Sequence, residues 1–347
     1  MSSMLWSSCI KKEPHNTTST TPQDTLSQRV LMVCEGSLGN GNAELSVYYP
    51  LKDSCYTNVF WNANQFYLGD VFQSLTQLNK QYYLCVNNSD KIVVCAKDNF
   101  KHSTTINVPK PRNILQISPD KAYVGSLFHN KIHVLNPSAH QVSTSIDMPK
   151  QNVEGMLFKD NAVYIACWDT SCYSIYILDP LSNALKDSIY INAAAPQSIL
   201  EDKYHRLWVF SGNPYKSKVN KITIVDINSK TIIKQFTLDA VSELIKPQMN
   251  EAKDSLFYLR VNYLANTSDN GLFVMGVDDD KIPSTALVPC ASYQYFWALG
   301  LDPNSNQIYL GDPKGFTQKS QVYIYNKKGI LQKQLLVNIG ISAFIFE

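Results

Sequence analysis

The side chains best placed to do chemistry are aromatic rings set beside amides and carboxylates in short connecting segments. Trp61-Asn62-Ala63-Asn64-Gln65-Phe66-Tyr67-Leu68-Gly69-Asp70 is the longest, with Gln73 just beyond it. Lys110-Pro111-Arg112-Asn113, Leu127-Phe128-His129-Asn130, Trp168-Asp169, Asn213-Pro214-Tyr215, Asn262-Tyr263 and Tyr293-Gln294-Tyr295-Phe296-Trp297 repeat the theme, and Asn87-Asn88 and Asp312 close comparable segments. Rings next to amides suit a large amphipathic ligand or a protein surface, because one side chain offers an apolar face and its neighbour a hydrogen bond. The same rings could instead fill gaps between structural elements.

Bond-breaking constellations are missing from the sequence. There is no Gly-x-Ser-x-Gly, no His-Glu-x-x-His and no phosphate-binding glycine loop opening a helix. Gly36, Gly39 and Gly41 fall in a hairpin loop, where a dinucleotide fingerprint cannot work. The six histidines are scattered, with only His129 and His133 close in sequence. Asp278-Asp279-Asp280 lacks the alternating ligands and turn glycine of a calcium loop and reads as a solvated turn. The expectation is a protein that is not an enzyme and holds no metal or cofactor of its own. Cys85 and Cys95 fall on neighbouring strands and Cys167 and Cys172 flank a loop; the spacing leaves their oxidation state open.

These segments punctuate a repeat of about 40 to 50 residues: apolar-Tyr-apolar, a polar turn, then Lys/Gln-Ile/Val-x-Val/Ile-x-Asn/Asp. Its aromatic position holds Tyr83, Tyr123, Tyr164, Trp208, Tyr258 and Tyr309, with Met32 as a degenerate first copy. Short alternating strands at this period predict an all-β fold of propeller blades, each four antiparallel strands. Counting gives seven blades over residues 29–347. The first blade lacks an inner strand, and Ile341 to Phe346 is left over at the other end, so that segment is expected to pair into blade one and close the ring. An open β-sandwich is the alternative.

Residues 1–28 read as a disordered Ser/Thr/Pro-rich tether, with Cys9 after two small residues as a candidate lipidation site. No run of 18 apolar residues occurs, so membrane attachment would come only through such an anchor. Charged residues are 17% of the chain and the net charge is +2, which argues against nucleic acid as a partner. The propeller itself is expected to be monomeric.

Several segments carry a family resemblance: Glu35-Gly36 with Asn42 to Tyr48, Leu68 to Ser74, Val86 to Ile92, Cys167-Trp168, and Gly311 to Gln318 with Val322 to Tyr325 and Phe344-Ile345-Phe346. Together they resemble the YncE-like seven-bladed propeller lipoproteins of Gram-negative outer membranes, and one branch of these is similar to the BtuG-type vitamin B12-binding proteins. The resemblance implies a cell-surface or, alternatively, periplasmic protein that hands a corrinoid to a TonB-dependent receptor. A corrinoid has a broad apolar ring rimmed with carboxamides and would want amides, aromatic faces and few charges. Trp61, Tyr67 and Trp168 would be ring contacts, Asn62, Asn87 and Asn88 polar contacts, and Asp70 and Gln73 orienting groups, with Arg112, His129, Asp169, Tyr215, Tyr263, Tyr295, Trp297 and Asp312 completing the candidate site. Haem would want an axial ligand and cations, and an anionic siderophore several Arg and Lys. A protein-interaction scaffold and a metal-dependent lactonase-like hydrolase are the further alternatives.

Overall fold

The computed structural model describes residues 28–263, 269–291 and 294–347. Cys9 and Tyr293 therefore lie outside the described residues. The chain forms seven four-stranded antiparallel sheets arranged as blades, a seven-bladed β-propeller. The inner strands are Ile341–Phe346 for blade one, then Phe72–Leu78, Pro111–Ser118, Val153–Lys159, Pro196–Glu201, Glu243–Met249 and Ala298–Leu301.

The leftover segment closes the ring. Ile341–Phe346 pairs antiparallel with Val30–Cys34, placing Phe346 opposite Val30 and Phe344 opposite Met32. A partly buried ionic latch reinforces the seam. Glu347 accepts from the Arg29 guanidinium at 2.5 Å and the Tyr82 hydroxyl at 2.7 Å, and pairs with Lys97 at 2.9 Å.

The repeating aromatic is the bolt between blades. Tyr83, Tyr123, Trp208, Tyr258 and Tyr309 are all fully buried, and Tyr164 nearly so. The Tyr83 hydroxyl donates to the Pro137 carbonyl at 2.8 Å and that of Tyr123 to Asn183 at 2.6 Å, each in the outer turn of the next blade. At Tyr83 and Tyr123 the phenol fills apolar space and ties one sheet to its neighbour with its polar tip, whereas the buried Tyr258 and Tyr309 hydroxyls have no hydrogen-bond partner among the described residues and their rings act by packing. The indole of Trp208 instead donates within its own blade, to buried Asp202 at 2.8 Å.

All seven described cysteines are free. Cys85 and Cys95 sit in different interblade cores, since side chains an odd number of places off register face opposite sides of the sheet.

Blade one departs from the others on its outer side. Its outermost strand, Ser54–Tyr56, is followed by a short α-helix, α1 (Val59–Asn64). Glu44 holds the start of that helix, accepting from the amides of Phe60 at 2.9 Å and Trp61 at 3.0 Å. Its carboxyl is pushed above the usual range by burial, which those amide bonds partly offset.

Candidate ligand site at the channel mouth

An open cavity of about 910 Å³ occupies the middle of the ring. Its wall is built by one device used repeatedly. In six of the seven blades the inner strand slips register near its start, and the slipped residue points to the channel. These β-bulges fall at Ser342, Gln73, the Arg112-Asn113 pair, Glu154, Gln197 and the Lys246-Pro247 pair. A bulge adds one unpaired residue and re-aims its side chain, which is how an alternating strand presents a polar group to a channel without losing its packed face. All of these residues line the cavity.

Blades two to five share a second feature. The residue before the inner strand is left-handed in each: Val71 (φ 58°), Lys110 (42°), Asn152 (60°) and Ala195 (56°). The carbonyl of each accepts an amide hydrogen from the end of the second strand, from Asn87, Leu127 and Trp168 just past it and from Gly212 within its last few residues, at 2.8 to 3.1 Å. This pairing draws the loop after the second strand over the channel, so Asn87, Leu127 and Trp168 reach the cavity. Val71 is β-branched, for which this backbone conformation is costly, so the fold holds it there against its preference.

The bulge residues differ in what they meet. Glu154 takes two bonds from Arg112, 2.8 Å from Nε and 2.5 Å from Nη2, and Gln73 Oε1 accepts from Arg112 Nη1 at 2.5 Å. Burial pulls the arginine pKa down, but the Glu154 carboxylate more than offsets this and leaves it above the ordinary value. Around the ring, side-chain donors reach the next blade's inner carbonyls: Ser74 to Arg112, Asn113 to Glu154, and Gln248 to Leu299. Gly155 makes room for this close approach, because a Cβ there would lie 2.7 Å from the Gln197 carbonyl oxygen.

Opposite the arginine the wall is aromatic. Trp297 packs edge-on to Phe316, with centroids 5.7 Å apart, and its indole donates to Glu35 at 3.2 Å. The Lys246 ammonium lies 5.6 Å from the Trp297 ring centre. Behind it Tyr263 contacts both Tyr215 and Tyr295, at 5.9 and 5.1 Å. Tyr215 and Tyr263 line a side pocket of about 70 Å³ that shares Glu243 with the main cavity. Burial raises the Glu243 carboxyl, which the neighbouring Tyr263 hydroxyl offsets in part.

The structure thus brings six of the expected residues to the cavity: Gln73, Asn87, Asn88, Arg112, Trp168 and Trp297. The others do not line it. Trp61 and Asn62 belong to α1, which packs outside the ring. Its Asn64 accepts from the His102 amide at 2.8 Å, on blade two's outermost strand. Tyr67 projects into solvent at 71% exposure. Asp70 braces loops, accepting from Gly39 at 2.9 Å and from the Asn88 amide at 2.5 Å. His129 is exposed on the rim, and Asp169 folds its own turn by accepting from Ser171 at 2.7 and 2.8 Å. Tyr215, Tyr263 and Tyr295 form the aromatic file just described. Asp312 is buried, accepting from the Lys314 amide at 2.8 Å. The expectation of few charges also changes, since Glu35, Arg112, Glu154, Glu243 and Lys246 all face the cavity.

Sequence reasoning missed Glu35, Glu154, Gln197 and Phe316, and named Lys246 only as one of the few cations, with Lys110 and Arg112, that could face an anionic ligand. A signal was present for the bulges. The pairs Gln73-Ser74, Arg112-Asn113, Glu154-Gly155 and Gln197-Ser198 each break the apolar alternation at the head of an inner strand, once per repeat. No group of three His, Cys, Asp or Glu suited to a metal gathers among the described residues, and no helix there is long and apolar enough to cross a membrane.

The solved structures similar to this chain are propellers of varied description. A quinonprotein alcohol dehydrogenase-like protein from Bacteroides thetaiotaomicron superposes with a TM-score of 0.68 at 11% identity, covering 91% of this chain and 77% of that one. A proposed 6-phosphogluconolactonase from Bacteroides uniformis gives 0.64 at 11%, covering 92% and 100%. The hydrazine synthase of Kuenenia stuttgartiensis gives 0.60 at 12%, covering 78% and 88%. At these identities the likeness is one of fold alone. A comparison with curated proteins finds no match. Residues 28–341 match the family described as domain of unknown function DUF5074, and the chain belongs to that family.

Proposed function

We propose that this propeller is a non-catalytic capture module that holds a large amphipathic ligand in the mouth of its channel. The observation that carries this reading is the open cavity of about 910 Å³, walled on one side by rings and on the other by amides and a neutralised ion pair. A corrinoid such as vitamin B12 is our candidate. Its flat apolar face would lie along Trp297 and Phe316, with Trp168 a further ring contact across the mouth, and its carboxamide rim would meet Gln73, Asn87, Asn88 and Gln197. Arg112 is engaged by Glu154, so the wall does not present the array of free cations that a polyanionic siderophore would need.

In the cell we place the protein on the outer-membrane surface, lipidated at Cys9 and delivering its ligand to a TonB-dependent receptor. The amide-rich rim and the exposed Phe128 and Leu38 at the mouth suit a ligand that must be both held and passed on.

The test is gel filtration of the purified protein with cyanocobalamin at micromolar concentration. Co-elution of the colour, lost in a Trp297→Ala/Gln73→Ala double variant, is expected. A colourless protein peak would reject the corrinoid. Mass spectrometry of the mature N-terminus tests the anchor, where an unmodified Cys9 would remove it from the scheme.

A further inference from the structure

We propose that Lys246 is an anion-recognition residue, so that the ligand held by the channel mouth carries one carboxylate, phosphate or sulfonate group beside its apolar face. This rests on the capture reading and narrows its ligand class.

Arg112, Glu154 and Glu35 already have hydrogen-bond partners in the cavity. Arg112 is tied twice to Glu154 and once to Gln73. Glu35 accepts from the Trp297 indole. Glu243 is buried beside Tyr263, and burial raises its carboxyl, which disfavours its charged form. Lys246 differs. Among the described residues no carboxylate comes within ion-pairing distance of it and no hydrogen bond reaches its ammonium, whose one recorded contact is the Trp297 ring at 5.6 Å. A cation in a partly enclosed site is normally paired, because its neighbours replace only part of its hydration. Lys246 is half-buried, unpaired among the described residues and open to the cavity.

The backbone indicates that this placement is held in position. Lys246 is left-handed (φ 51°) and sits in the two-residue bulge between the Ile245–Leu259 and Gln248–Phe257 pairs, with Pro247 beside it. In blades two to five the left-handed residue instead precedes the strand. Moving it onto the bulge itself turns the lysine to the channel at a backbone cost. Burial also lowers the lysine's pKa, with Glu35 and Glu154 opposing and Arg112 adding to the effect. An anion arriving at the ammonium would reverse that penalty and supply the missing partner. The neighbouring Trp297 and Phe316 faces would take the apolar part of the same molecule.

A matched pair of probes tests this: 1-anilinonaphthalene-8-sulfonate and its neutral counterpart N-phenyl-1-naphthylamine, titrated by fluorescence. Both are expected to bind, the sulfonate about tenfold or more tighter, the size of one charge-assisted hydrogen bond. Lys246→Met should erase the preference, Lys246→Arg should keep it, and added salt should shrink it. Circular dichroism confirms that each variant is folded, and Lys246→Gln replaces the methionine variant if that one is not. Equal affinities in the native protein, or a preference that survives loss of the lysine, overturns the assignment while leaving the capture reading standing. Failure of both probes to bind overturns both.

Discussion

Blades two to five and blades six to seven solve the same problem in opposite ways. In the first group a left-handed residue precedes the inner strand, the bulge follows, and its side chain is knitted to the next blade. Gln73, Arg112 and Glu154 form one continuous set of bonds. In the second group blade six carries its left-handed residue inside the bulge, and blade seven pairs Ala298 through Leu301 without a slip. Aromatic rings then take over the wall. The lesson is that a repeated backbone device fixes where a side chain points, while the neighbouring blade decides whether it serves the scaffold or remains available.

The sharpest break of this contrast is Glu154→Ala. It strands Arg112, and we expect a loss of about 2–4 kcal/mol in urea denaturation, below the fully buried case because the two side chains keep 15% and 17% exposure. Replacing both partners, Arg112→Met with Glu154→Leu, should recover most of that loss. A single variant as stable as the native chain would show that the pair is not holding the wall. Gln73→Ala should cost about 1 kcal/mol, one hydrogen bond on the same arginine.

On the other side, Lys246→Met should leave stability unchanged or raise it by up to about 1 kcal/mol, since it removes an unpartnered charge. A loss comparable with that of Glu154→Ala would erase the distinction between the two arcs. The pH dependence separates them further. The folded-state pKa of Glu243 is raised, so the folded protein binds that proton more tightly than the unfolded chain does. The resulting stability is present at acid pH, below the ordinary glutamate value, and is lost as pH rises through the raised one. Melting temperatures of the native protein and Glu243→Gln, compared at pH 5 and pH 8, should therefore shift against the native protein at the higher pH. The smallest effect is expected at the rim. Phe128 is 67% exposed, so Phe128→Ala should change stability by less than about 0.5 kcal/mol while weakening ligand or probe retention.

Much of the architecture could be read from the chain, and the reason is physical. Tyr83, Tyr123 and Tyr258 recur because every interblade core needs the same bolt, and the alternation around them is a local, one-dimensional pattern. Phe344 and Phe346 were assignable to blade one because a strand without a sheet and a sheet without a strand were the only unmatched parts. The site was less legible. Glu154 and Lys246 reach the channel through bulges, and one added residue reverses which face a strand position occupies. Trp61 and Asn62 looked like mouth residues because α1 is too short to show a helical period, and its start depends on Glu44, many residues earlier. Arg112 and Trp168 could be placed at the mouth, but their partners, Glu154 and the Gly212 carbonyl, belong to the following blade and could not be matched from sequence.

The seam in blade one has a consequence for how the molecule is born. Val30–Cys34 leaves the ribosome before the other blades, yet the strand that covers it, Ile341–Phe346, is made after all of them. While the intervening blades are made the nascent chain carries an uncovered apolar edge, and the annulus can snap shut only when Ile341–Phe346 is free. Contacts between such distant parts of a chain form slowly. The interval before closure is when this protein is most exposed to mispairing with another copy of itself.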